Sequence, residues 1–164
     1  MKHVSFRKCL GGGPIFLFFI LLVPLFLQGQ NEGNVWLTGN GQQLIFQNGD
    51  PELHDFDGAS GATASICDKD GNLVLYSNGY KVWNKNHEVI MNGDELLLEN
   101  SWVQNPPFFL PYPGKEGWYI FIYEEVRHSV PGNFGNTLWY GEIDTQAGEG
   151  RGALVTEKVF IHDN

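Results

Sequence analysis

The chain has 164 residues, with 10 Lys and Arg against 19 Asp and Glu, for a net charge of −9. So acidic a surface repels phosphate backbones and excludes nucleic acid as an expected partner. Two cysteines are too few for a disulfide scaffold, and the length suits one ordinary domain.

Residues 1–29 read as a secretory signal peptide. Lys2, Arg7 and Lys8 give a basic start, Ile15 to Leu27 is an apolar run broken only by Pro24, and Gln28-Gly29 follows. Spanning a bilayer needs about 18 or more apolar residues, so this run is too short for a membrane anchor. No membrane span is expected in the mature chain. Cleavage after Gly29 leaves Gln30 first and 135 residues. Loss of the three basic residues leaves seven against nineteen acidic ones, a net of −12. The chain is thus expected to be secreted or held at the cell surface, with the periplasm as the alternative.

Val35 to Leu37 and Gln43 to Gln47 are strand candidates, separated by Gly39-Asn40-Gly41 and closed by Asn48-Gly49-Asp50-Pro51. Glu52 to Gly61 reads as a polar loop. Ala62 to Asn84 then forms a three-strand meander, with its turns at Asp70-Gly71 and Asn78-Gly79. Leu44 to Gly49 and Val74 to Gly79 share an apolar-apolar-aromatic-polar-Asn-Gly order 30 residues apart, as stacked β units would. Cys67 is the single cysteine of the mature chain and can form no internal disulfide; following Ile66 in an apolar strand, it reads as a core residue, with a link between chains or a reactive thiol as the alternative.

Beyond the meander, Val89 to Met91 leads to Asn92-Gly93, and Leu96 to Leu98 follows. A new stretch opens at Asn100 to Trp102. Asn105-Pro106-Pro107 rules out a regular central strand, because proline has no ladder donor. Phe108 to Tyr112 is extended, and Pro113 to Gly117 turns. Trp118 to Tyr123 (WYIFIY) is the strongest strand and, lacking polar alternation, is expected to be buried on both faces. Arg127 to Asn136 reads as a loop, Thr137 to Asp144 as a strand, Gln146 to Gly152 as a glycine-rich loop and Leu154 to Ile161 as the last strand. Short strands between turn signals, with no amphipathic helix, imply an all-β protein: a sandwich, barrel or propeller.

Asp68-Lys69-Asp70-Gly71-Asn72 is faintly like a calcium loop, but its glycine comes fourth rather than sixth and strands flank it, so it reads as a hairpin turn. Glu124 and Glu125, as neighbours on a strand, face opposite sides and do not easily act on one substrate together, which leaves either to pair only with a distant acid. His54, His87, His128 and His162 lack metal-ligand spacing. His54-Asp55-Phe56-Asp57 reads as a solvated loop. Ser60, Ser65, Ser77, Ser101 and Ser129 lack a nucleophile-elbow context. No catalytic, cofactor-binding or metal residue is assigned, and no cofactor is expected. Trp36, Trp83, Trp102, Trp118 and Trp139 are read mostly as core or sheet-interface residues, with sugar stacking as the alternative.

The stretch DKDGNLVLYSNGYKVWNKNHEVIMNG (68–93) resembles a segment of secreted Bacteroidetes-type surface proteins of the type IX secretion and gliding-motility-associated kind. There a D-x-x-G-N-L-L-F-Y-T-D-G-x-x-V-W-N-x-x-x-x-x-M-x-N-G pattern lies near the mature N-terminus. Gly39-Asn40 with Leu44-Ile45-Phe46 is similar to that family's opening. Phe108 to Gly114, Trp118 to Phe121, Leu138-Trp139-Tyr140 with Ile143-Asp144, and Gly148 to Gly152 are similar to its later strands and loop. The resemblance runs from about Trp36 to the end and implies the opening blades of a β-propeller.

On that reading, residues 30–164 are one all-β domain of about two blades, approximately 35–98 and 101–164. The function implied is a non-enzymatic scaffold or interaction surface; a carbohydrate-binding or carbohydrate-active domain is the alternative. Two blades leave two outer faces bare. At about 400 Å² of apolar area each, the lost burial is on the order of 10 kcal/mol per face, against a total stability of about 5–15 kcal/mol. Self-association or further C-terminal blades are therefore expected, with a self-contained sandwich as the alternative.

Overall fold

The computed structural model describes residues 31–46, 50–98, 101–130 and 133–163. The expected signal peptide and Asn48-Gly49 lie outside them. Eleven strands run through the described residues: β1 (Val35–Leu37), β2 (Gln42–Ile45), β3 (Glu52–Asp55), β4 (Ala64–Cys67), β5 (Leu73–Ser77), β6 (Val82–Asn84), β7 (Ser101–Trp102), β8 (Phe108–Pro111), β9 (Trp118–Val130), β10 (Asn133–Asp144) and β11 (Ala153–Asp163). Every strand pair is antiparallel. The all-β expectation holds, and no α-helix occurs among the described residues.

The strands form three sheets: β1-β2-β3, β4-β5-β6, and a five-stranded sheet in the order β11-β10-β9-β7, with β8 also paired to β9. None closes on itself. Residues 35–98 thus hold two three-stranded sheets, and 101–163 hold one five-stranded sheet.

The β4-β5-β6 meander appears where its turn residues place it. At the first turn the N–H of Gly71 donates to the carbonyl of Asp68 (3.0 Å), and Gly71 takes φ +85°. Only the glycine of Asp70-Gly71 is left-handed, so the hairpin is a type I turn followed by glycine rather than a two-residue primed turn. Gly79 likewise carries φ +86° alone in its turn. There the Asn78 side-chain oxygen accepts the N–H groups of Tyr80 and Lys81, both at 3.0 Å.

Two apolar clusters lie on opposite faces of this middle sheet. Ile66, Leu75 and Val82 pack toward Phe109, Phe121 and Tyr123 of the five-stranded sheet. Cys67, Tyr76 and Trp83 pack with Val35, Leu37 and Phe56. Period-two alternation along β5 and β6 sends successive side chains to different clusters. Three layers result, with the middle one covered on both sides.

Three expectations need correction. Glu52 to Gly61 is not all loop, because Glu52–Asp55 pairs with β2 as β3. All four of its side chains are exposed, so it has no burial to leave a pattern in the sequence. Arg127 to Asn136 is not all loop either: β9 and β10 stay paired through Arg127–Gly135 and Val126–Asn136, with Pro131-Gly132 outside the described residues. Local polarity gave way there to cross-strand pairing. Finally, Trp118 to Tyr123 is not buried on both faces. Tyr119, Phe121 and Tyr123 are buried, whereas Trp118, Ile120 and Ile122 are partly exposed. Neither buried cluster among the described residues includes this second face.

Candidate functional site

A cleft of about 460 Å³ opens where the turns of the middle and five-stranded sheets meet. That volume falls in the range of small-ligand sites. One end is formed by Glu32, the β4–β5 turn and the β8–β9 turn. The N–H of Cys67 donates to the Glu32 carbonyl (2.8 Å), which fixes Glu32 beside the end of β4. Lys69 and Glu116 form an ion pair across the two turns at 3.3 Å. The other end is formed by Lys85 and Asn86, just past β6, and by Gln146 and Arg151 of the β10–β11 turn. Asn84 joins these two segments, its side-chain N–H donating to the Arg151 carbonyl at 3.0 Å. Leu73, Val74 and Trp118 line the cleft between the ends.

Many polar groups of the cleft are committed to building it. The Asp68 carboxylate accepts the N–H groups of Asp70 and Asn72, both at 2.9 Å, and the Asn72 side-chain amide. Burial works against its charge, but the Asn72 and Asp70 donors outweigh it and hold its carboxyl below the usual value. Lys115 lies over the rings of Trp118 and Tyr112, at 4.2 and 4.5 Å from their centroids. By contrast, one carboxylate oxygen of Glu32 is fully buried and has no hydrogen-bond partner. Burial, with the nearby Asp68 and Glu32 charges, pushes the Tyr119 hydroxyl above its ordinary value.

The other residues singled out in the sequence are dispersed. Glu124 and Glu125 diverge. Glu124 accepts from the Asn105 amide at 2.6 Å on the exposed side, whereas Glu125 is fully buried. Glu125 accepts from the Leu98 N–H (2.7 Å), the Trp139 indole (3.1 Å) and the Arg127 guanidinium. Burial raises its carboxyl, but the Arg127 and Leu98 donors outweigh this and leave it below the ordinary value. Its contacts tie Leu98 and β10 to β9.

His54 sits exposed on β3, 3.2 Å from Glu52. His87 meets the Tyr76 hydroxyl at 3.0 Å, and His162 lies on β11. The side chains of His128 and Ser129 lie outside the description. Among the described residues no three His, Cys, Asp or Glu side chains converge on a metal-sized point. Ser65 donates to the Val35 carbonyl and Ser77 to the Lys81 carbonyl, so both serve the packing of the meander. Cys67 is buried, and burial pushes its thiol upward.

Of the tryptophans, Trp83 is buried, and Trp102, Trp118 and Trp139 are partly buried. Trp36 is 58% exposed and packs against Phe46 with ring centroids 4.9 Å apart. They do not line one solvent face. Sequence reasoning missed the cleft, because Glu32, Lys85, Trp118 and Arg151 share no motif and are joined only by the packing of two sheets.

No protein-family model matches the chain, and no curated protein or solved structure matches it.

Proposed function

We propose that the chain is a non-enzymatic β module of an exported surface protein, of the propeller type, that acts as a scaffold or interaction surface. The observation that carries this reading is the outer face of the five-stranded sheet. Phe108, Leu110 and Ile161 are 48, 45 and 42% exposed there. Register places Ile122 between Phe108 and Tyr140, and Leu110 beside Ile120. A contiguous apolar face of this kind is a docking surface rather than scattered surface hydrophobes. A further antiparallel sheet, stacked as the first three are, would cover it.

The stacking of three sheets supports a propeller-like build, since blades pack face to face. So does the sequence echo, whose halves open on β2 at Leu44-Ile45 and on β5 at Val74, the central strand of each three-stranded sheet. The basic start and apolar run of residues 1–29 support export.

The test is to purify residues 30–164 and measure sedimentation and binding of an apolar dye, with and without Ile122→Asp. Self-association or dye binding that the substitution removes supports the reading. Its absence in the unsubstituted chain contradicts it. Hydrolysis of any glycan in a panel, lost on Glu124→Gln or Glu125→Gln, would instead make the protein a carbohydrate-active enzyme. N-terminal sequencing of the exported product, expected to begin at Gln30, tests the compartment.

A further inference from the structure

We propose that the cleft between the middle and five-stranded sheets binds a short peptide by both of its ends, holding the ammonium at Glu32 and the carboxylate at Lys85 and Arg151. The inference rests on how charge is distributed along the cleft. At the β4–β5 end, Lys69 is paired with Glu116 and Lys115 is held over two rings. Even so, the four carboxylates of Glu32, Asp68, Asp70 and Glu116 outnumber these two cations, and this end stays negative. Glu32 is only partly buried, so although one of its carboxylate oxygens faces the interior, its charge is presented to the cleft it lines. At the β6 end the charged lining groups are Lys85 and Arg151, both exposed and positive.

The spacing of the two ends sets the size of the ligand. Glu32 is fixed to the end of β4 and the Arg151 carbonyl to the end of β6. β4 and β6 are separated by two strand spacings, roughly 10 Å in all. An extended chain advances roughly 3.3 Å per residue, so about three residues bridge the two ends. Leu73, Val74 and Trp118 offer a central side chain an apolar wall. A neutral oligosaccharide would match neither end. Capture of a peptide's terminal carboxylate or amine is an established recognition mode, and opposite fixed charges are the groups that complement the two termini. The site shares Trp118 with the strand that carries the outer face but none of Phe108, Leu110, Ile122 and Ile161, so either can fail alone.

The experiment is calorimetric titration of residues 30–164 with the tripeptide Gly-Leu-Gly, its N-acetyl form, its C-terminal amide and maltotriose. The free tripeptide is expected to bind, and each blocked form to bind about tenfold more weakly, the scale of one lost charge-assisted contact. Glu32→Gln is expected to erase the difference between free and acetylated peptide only. Lys85→Gln with Arg151→Gln is expected to erase the difference between free and amidated peptide only. The proposal is overturned if blocked and free peptides bind the unsubstituted chain equally, if maltotriose binds in place of the peptide, or if millimolar peptide gives no heat. The blocked peptides keep the test decisive even where a substitution impairs folding.

Discussion

The middle sheet and the five-stranded sheet use similar side chains to different ends. In β5, neighbours Leu75 and Tyr76 are 1% and 0% exposed, each sunk in a different cluster. In β9, Phe121 is fully buried, but its neighbour Ile122 is partly exposed. WYIFIY is the more apolar sequence, yet it is the less covered. What decides burial is whether a second layer exists, and residues within one strand carry no record of that. The middle sheet is covered on both faces, whereas the outer sheet leaves one face partly exposed, and the proposed docking role turns on that difference.

Phe121→Ala should open this comparison most widely. It removes a ring stacked near Phe109 and Tyr123, with centroids 4.8 and 5.1 Å away. A loss of about 3–5 kcal/mol is expected, read as a lower urea midpoint. A much smaller loss would mean that the interface between the middle and outer sheets is loosely packed.

The next largest effect falls where polar chemistry enters the core of the outer sheet. Arg127→Leu leaves the buried Glu125 carboxylate without its cation, at an expected cost of about 3 kcal/mol at pH 7. In the parent chain the folded Glu125 carboxyl lies below its ordinary value of 4.5. As pH falls, the unfolded chain therefore takes up its proton first. The stabilisation from this group is present above the unfolded value and is lost as pH drops through the folded one. Without Arg127 the burial effect loses its main opponent and the folded carboxyl shifts upward. The deficit of Arg127→Leu should then shrink in acid. Urea titrations from pH 7 to pH 3 should show the two stability curves converging; parallel curves would contradict the pairing.

These two sites show what was legible in the sequence. The meander and its turns were readable because Asp70-Gly71 and Asn78-Gly79 are local signals, and the separation of Glu124 from Glu125 followed from strand alternation. β3 was not readable, since Glu52–Asp55 buries no side chain and is held by backbone pairing to β2. The extended β9–β10 hairpin was hidden because Arg127 and Asn136 gain strand geometry from their partners rather than from their own propensity. The cleft could not be foreseen at all: Glu32 and Arg151 lie 119 positions apart, and only sheet stacking relates them.

Gly79→Ala sharpens the contrast within the middle sheet at smaller cost. The added methyl would sit at φ +86° and 2.6 Å from a Val103 methyl. A loss of about 2 kcal/mol is expected. Gly114→Ala, also at positive φ but with open space around it, should cost less, because only the backbone term applies. Thermal melts of both variants separate the backbone strain from the steric term. Equal losses would show that Val103 yields freely.

The smallest expected effect is the most informative about the outer face. Ile122→Thr keeps β-branching and strand propensity and changes only a partly exposed side chain, so the isolated chain should lose less than about 1 kcal/mol. Ile122 pairs with Phe108 on one side and Tyr140 on the other, both across the strand ladder rather than above it. It belongs to neither buried cluster among the described residues, and the threonine hydroxyl can reach water. The same substitution should nonetheless weaken any association through this face, because the apolar contact is then buried by the partner. Urea midpoints at low protein concentration, compared with sedimentation at high concentration, separate the two effects. If Ile122→Thr instead costs the dilute chain as much as Phe121→Ala does, the face is already covered within one folded molecule, and the docking role falls with it.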